Sequence, residues 1–178
     1  MYSWQNLTWL FFHKLALNQE KENNEEFKKF FRAFKVILPC SICRNHYNQQ
    51  IEEPSKNIGK NVENMNLFNW TVDIHNNVNN MHGKRIWSYN EARNYYKSFF
   101  LTTGLVKKFL MQYIFYNYKK GPEKTKNVIQ MNEAFIYLFP RHHIREKLIE
   151  FHKKFSVNKD NYKKWITAIL LIIQNGMK

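Results

Sequence analysis

At 178 residues, with 44% apolar and 17% aromatic content, the chain has material for a buried core, which excludes a disordered protein. Five Gly and four Pro leave few turn residues for an all-β protein, so the expected class is all-α. A net charge of +14 points toward acidic or anionic partners, and a count of two cysteines excludes a disulfide scaffold.

No apolar run reaches the roughly 20 residues of a membrane-spanning helix, and no signal-peptide pattern opens the chain. A soluble protein made without secretion is the expectation. Trp4, Leu7, Phe11 and Leu15 recur at helical spacing, and Trp9, Phe12 and Ala16 fill the neighbouring faces, so the first helix is apolar nearly all round. Its polar ring, His13, lies one turn after Trp9, which lets both face one pocket. From this segment alone, a core histidine bonded to a backbone carbonyl is the better fit. After a charged connection, Phe27, Phe30, Phe31, Phe34 and Ile37 define a second amphipathic helix, with Asn24 as candidate N-cap.

That helix runs into Leu38-Pro39-Cys40-Ser41-Ile42-Cys43, which holds both cysteines. Two thiols separated by two residues close a ring too small to stabilise a fold much, so the pair points to reversible redox chemistry. Pro39 biases Leu38 away from the helical region and lets a new helix start at the first cysteine. Cys43 is then expected in the first turn, where free amides, the helix dipole and Arg44 favour a thiolate. Half of a zinc site, or two small buried side chains, fit the same spacing.

A third helix over Ser41 to about Ile51 and a loop over Glu52 to Asn64 follow, the loop containing Pro54 and Gly59. A fourth helix from near Asn66 carries Trp70, Ile74, Val78 and Met81 on one stripe, with His75, Asn76 and Asn79 on its flank. Gly83 suits the left-handed residue that ends a helix, and Lys84 and Arg85 come next. That cation pair serves either the helix dipole or a phosphate. Ser88-Tyr89-Asn90-Glu91 reads as a capping box for a fifth helix.

Taken together, Trp9-x-x-x-His13, Pro39-Cys40-x-x-Cys43, and Trp70-x4-His75-Asn76-x-Val78-Asn79 with Gly83-Lys84 resemble the Erv/ALR family of FAD-linked sulfhydryl oxidases. The likeness covers about residues 4 to 97, and the wording around His75 is most similar to members from large cytoplasmic DNA viruses. The resemblance implies a four-helix bundle plus a short fifth helix holding FAD over residues 1–100, followed by a separate basic helical domain, 101–178. It implies Cys40 as the thiol that exchanges with substrate and Cys43 as the thiol next to the flavin. It places Trp9 and His13 in the flavin cavity, His75, Asn76 and Asn79 at the adenosine half, Lys84 at the phosphates and Tyr96 against the adenine, where the family usually has tryptophan. Electrons would pass from protein dithiols, or from a separate thiol carrier, to FAD and on to O2, giving hydrogen peroxide. A homodimer, and a place in the infected cell's cytoplasm or in virus particles, follow from the same likeness. The chain departs from the family at Leu38, where tyrosine is usual, and it lacks the cysteine pair that commonly pins the fifth helix.

Beyond residue 100 the helical periodicity continues in four stretches: Leu105 to Tyr113, Met131 to Leu138, Ile144 to Phe155, and Tyr162 to Ile173. This tail holds fifteen Lys and Arg against five Asp and Glu, a net +10, where residues 1–100 hold thirteen against nine. Such an excess points to an acidic partner, anionic lipid or nucleic acid, the last without any recognition motif to support it, and the apolar faces need either the bundle or a second copy to cover them. Two other functions are compatible with parts of the chain. One is a zinc-binding adaptor using Cys40, Cys43, His46 and another histidine; the other is a non-catalytic structural protein on the same fold.

Overall fold

The computed structural model describes residues 3–53 and 56–177 and is all-helical, with no strand among them. Its helices are α1 (Trp4–Ala16), α2 (Asn24–Ile37), α3 (Ser41–Glu52), α4 (Ile58–Glu63), α5 (Leu67–Met81), α6 (Tyr89–Ser98), α7 (Thr103–Asn117), α8 (Pro122–Tyr137), α9 (His142–Lys154) and α10 (Tyr162–Gly176). No helix is long and apolar enough to cross a membrane among the described residues.

Local chemistry sets most of the boundaries. Ser3 caps α1 by accepting from the Asn6 amide at 3.2 Å, and Thr102 caps α7 in the same way. Ser88 and Glu91 form the expected capping box on α6, and Gly83 adopts φ 61° just beyond α5. Asn23, not Asn24, occupies the N-cap position of α2. The expected loop over Glu52 to Asn64 contains α4, because Asn57 Oδ1 accepts from the Gly59 and Lys60 amides and Ile58 and Val62 are buried. Its Pro54 lies outside the described residues.

The all-round apolarity of α1 has a direct cause. One side meets α5 and the other meets the tail, where Phe11 stacks on Phe109 with ring centres 4.0 Å apart and lies 6.0 Å from Phe135. Helix α8 lies along α2 in the most extensive helix–helix contact of the structure, and Phe34 meets Tyr113 edge-on at 5.1 Å. Several polar groups at this junction are paired. Asn117 Nδ2 donates to the Ile37 carbonyl at 2.8 Å, and buried Arg145 makes two hydrogen bonds to Glu20, of 3.0 and 2.7 Å. The Tyr113 hydroxyl donates to Thr8 Oγ1, whose own proton goes to the Trp4 carbonyl at 2.7 Å. Tail and bundle therefore share one core, which runs unbroken from Leu7 to Ile173.

Candidate active site

Pro39 holds the chain extended between α2 and α3, so Leu38 takes φ −58°, ψ 126° and Cys40 takes φ −86°, ψ 122°. Arg44 Nη1 fastens the corner by donating to the Leu38 carbonyl at 2.6 Å. Cys40 is the N-cap of α3, and its Sγ accepts from the Cys43 amide at 3.2 Å. This reverses the sequence expectation about the thiolate. The helix starts at Ser41, so the free end of the helix acts on Cys40, outside the first turn, and not on Cys43.

The Cys43 thiol, hydrogen-bonded to Cys40, is the chief influence holding the Cys40 pKa below its ordinary value. Burial opposes this, while the Cys43 and Ile42 amides and Arg44 add to it. Cys43 is pushed up to about 11, by burial first and then by the same hydrogen bond with Cys40. In the dithiol the first proton therefore leaves Cys40. Gln5 Nε2, on α1, approaches Cys43 Sγ at 4.0 Å.

Both sulfurs open on a cavity of about 590 Å³ enclosed by α1, α3, α5 and the connection after α5. Trp9, Phe12, Leu38 and Ile74 give it apolar walls, and Lys84 and His82 stand at its rim. Trp9 lies flat on His75, with ring centres 4.2 Å apart and 6° between planes.

A chain of hydrogen bonds behind His75 fixes which of its nitrogens carries hydrogen. The Thr71 hydroxyl donates to the Phe68 carbonyl at 2.7 Å, so its oxygen accepts from His13 Nδ1 at 2.9 Å. His13 Nε2 is then an acceptor and receives the proton of His75 Nδ1 at 3.0 Å. That leaves Nε2 as the acceptor of His75, on a ring that lines the cavity. Both rings are neutral at pH 7. Burial lowers the His13 pKa well below the usual value, with His75 adding to it. Burial and then the Lys84 charge bring His75 to about 4.

Of the residues singled out in the sequence, Trp9, Cys40, Cys43, His75, Asn79 and Lys84 line this one cavity. His13 is fully buried behind His75 and reaches the cavity through it. Asn76 points to the connection after α5, donating to the Trp87 carbonyl at 2.8 Å and accepting from its amide at 2.9 Å. Asn79 also braces that connection, donating to the Arg85 carbonyl at 3.0 Å. The two asparagines thus hold the segment that carries Lys84. Tyr96 packs on the His13 ring at 4.3 Å rather than lining the cavity, and its carbonyl accepts from Lys14 Nζ at 2.9 Å.

Sequence reasoning passed over Gln5, Gln50, His82 and Thr71. Helical spacing held the signal for two of them, since Gln5 is one turn before Trp9 and Thr71 one turn before His75. His46 lines the cavity with the cysteines, but no three His, Cys, Asp or Glu side chains converge as a metal centre requires among the described residues.

The model of the Erv1 / Alr family matches residues 6–97. A probable FAD-linked sulfhydryl oxidase of Acanthamoeba polyphaga mimivirus is 33% identical over 93 residues, 50% of this chain and 65% of that protein. An FAD-linked sulfhydryl oxidase of African swine fever virus, isolate Warthog/Namibia/Wart80/1980, is 36% identical over 70 residues, 39% of this chain and 56% of the relative. That of isolate Pig/Kenya/KEN-50/1950 is 29% identical over 109 residues, 58% of this chain and 87% of the relative. The chain therefore covers less than two thirds of the first two relatives' lengths. No solved structure gives a significant match.

Proposed function

The chain belongs to the Erv1/Alr family, and on that premise we propose that it is an FAD-linked sulfhydryl oxidase working through Cys40 and Cys43. The observation that carries this reading is that both sulfurs open on the cavity bounded by Trp9, His75 and Lys84. FAD fits the chemistry of that space. Aromatic and aliphatic walls suit a flat ring system, the His75 Nε2 acceptor suits a hydroxyl or amino donor, and Lys84 suits the phosphates. Bound there, FAD supplies the two-electron acceptor that returns the dithiol to the disulfide and is reoxidised by O2 to hydrogen peroxide.

The protein's own part is thiol–disulfide exchange. A thiolate of a substrate dithiol attacks Cys40 Sγ, the Cys40–Cys43 bond breaks, and Cys43 leaves with the electron pair. The second substrate thiolate attacks the mixed disulfide, forming the substrate disulfide and releasing Cys40. Two electrons and two protons now reside on the pair. Cys40, stabilised at the N-cap, deprotonates first, and its charge is what the neighbouring Cys43 proton is shared with. Neutral His13 and His75 leave the cavity floor uncharged, so Lys84 is the cation available to an anionic ligand.

In this reading residues 1–100 bind FAD, residues 101–178 form a basic helical unit that supports them, and the protein works as a homodimer. Its substrates are protein dithiols or a thiol carrier in the cytoplasm of an infected cell or in a virus particle. The test is to purify the protein and measure FAD content and O2 uptake with dithiothreitol. Near-stoichiometric FAD and dithiol-dependent uptake that Cys43→Ser abolishes are expected. Absence of FAD, or uptake unchanged in Cys43→Ser, overturns the reading.

A further inference from the structure

The oxidase reading leaves the tail's charge unused, and four of its fifteen basic residues stand around one cleft. An open cleft of about 1080 Å³ runs between the start of α8, the start of α10 and the flank of α2. Five lysines line it, Lys29, Lys119, Lys126, Lys159 and Lys163. Lys29 is paired with Glu26 at 2.9 Å, but among the described residues none of the other four has an ion-pair partner. Four cations around one concave surface, none of them ion-paired with its two carboxylates, raise the local potential, and an incoming anionic ligand relieves it.

Two carboxylates, Glu133 and Asp160, also face the cleft, and Tyr118, Pro122 and Ile129 give it apolar surface. A nucleic-acid backbone carries a charge on every residue and meets an unbroken cationic track best. Here the track is interrupted. Spaced acidic side chains with an apolar residue between them match the mixture better.

The cleft is also joined to the redox end of the molecule. Tyr118 and Lys119 directly follow Asn117, which donates to the Ile37 carbonyl, three residues before Cys40. We propose that this cleft is the docking site for an acidic segment of the dithiol protein that the oxidase acts on, with Lys119, Lys126, Lys159 and Lys163 pairing its carboxylates. The inference rests on the oxidase reading for the partner's role, but not for the binding itself. Docking in the cleft tethers the dithiol to this molecule and raises its effective concentration at the sulfurs, which lowers KM and leaves the chemistry unchanged.

The experiment uses the full-length protein and two kinds of probe. A labelled, cysteine-free peptide with alternating Asp/Glu and one Phe reads binding alone. A Cys-x-x-Cys peptide extended by the same acidic segment, or by a Ser/Asn segment of equal length, reads turnover. Wild type is expected to bind the first peptide, with affinity falling as salt rises, and to favour the acidic dithiol over the neutral one. K126E/K163E should weaken binding about tenfold and erase the preference, while dithiothreitol turnover stays at the wild-type rate. K107E/K147E carries the same change in net charge on exposed residues outside the cleft, and it should keep both. Equal losses in the two double variants overturn the proposal, since net charge alone would then explain binding. Tighter binding of an oligothymidylate or of anionic phospholipid vesicles than of the peptide overturns the assigned partner. A protein that binds the acidic peptide through the cleft yet shows no dithiothreitol turnover contradicts the oxidase reading, not the docking site.

Discussion

The helices around the cavity and the helices after residue 100 bury different kinds of side chain, and α1 shows both. On the cavity side its neighbours are polar: His13 is tied to Thr71 and His75, and Asn79 is spent on the backbone of the next connection. On the tail side its neighbours are rings, with Phe11 stacked on Phe109 and close to Phe135. A ligand-sized space next to buried polar groups cannot be filled by close packing. The side that is filled holds the open side in shape, which matters here because the chain has no cysteine left to pin α6.

The sharpest way to break that comparison is to remove one side of it. Deleting residues 101–178 uncovers Phe11, Phe30 and Phe34, and the truncated chain is expected to lose its cooperative thermal transition, followed by circular dichroism. A truncation that keeps melting temperature and mass in solution shows the halves to be independent. Phe109→Ala tests the same contact with one side chain. It should cost about 3–5 kcal/mol in urea unfolding, the usual cost of emptying a buried aromatic site, with FAD content per folded protein retained.

A smaller effect is expected on the polar side. Thr71→Val removes the acceptor of His13 Nδ1 and should cost about 1–3 kcal/mol, the usual penalty for a buried donor left unmade. It should also loosen FAD retention, because His75 is no longer held in one tautomer. Unchanged FAD content in Thr71→Val would show that the hydrogen-bond chain does not orient the site.

Protonation gives the finest test. His13 and His75 have lower pKa values folded than unfolded, so below about pH 6.5 the unfolded chain binds more protons and stability falls as the pH is lowered. For His75 the contribution is complete above pH 6.5 and declines toward about pH 4, at up to about 1.4 kcal/mol per pH unit. Urea midpoints at pH 7 and pH 5 measure it. His75→Gln should flatten the dependence, and an equal slope in that variant contradicts the assignment.

Most helices were legible in the sequence because each carries an apolar stripe at helical spacing, and the capping box at Ser88 and the glycine after α5 marked ends correctly. The short α4 was hidden by Gly59 and by a polar surrounding, since only Ile58 and Val62 are buried in it. Motif order brought Trp9, Cys40, Cys43, His75, Asn79 and Lys84 to one cavity. It did not show that Asn76 would turn to the Trp87 backbone or that Tyr96 would pack on His13, because both outcomes depend on how the connection after α5 folds back. Nor did it show which cysteine would take the helix end. That depends on whether the helix starts at Cys40 or at Ser41, a single residue that periodicity does not resolve.

The central claim is that electrons from a dithiol reach bound FAD through Cys43. It is tested most directly by anaerobic mixing of the purified protein with dithiothreitol while the visible flavin absorbance is followed. Wild type should lose that absorbance rapidly, and Cys43→Ser should keep its FAD and its absorbance over the same interval. Equally rapid bleaching in Cys43→Ser would contradict the account, because the flavin would then be reduced without Cys43.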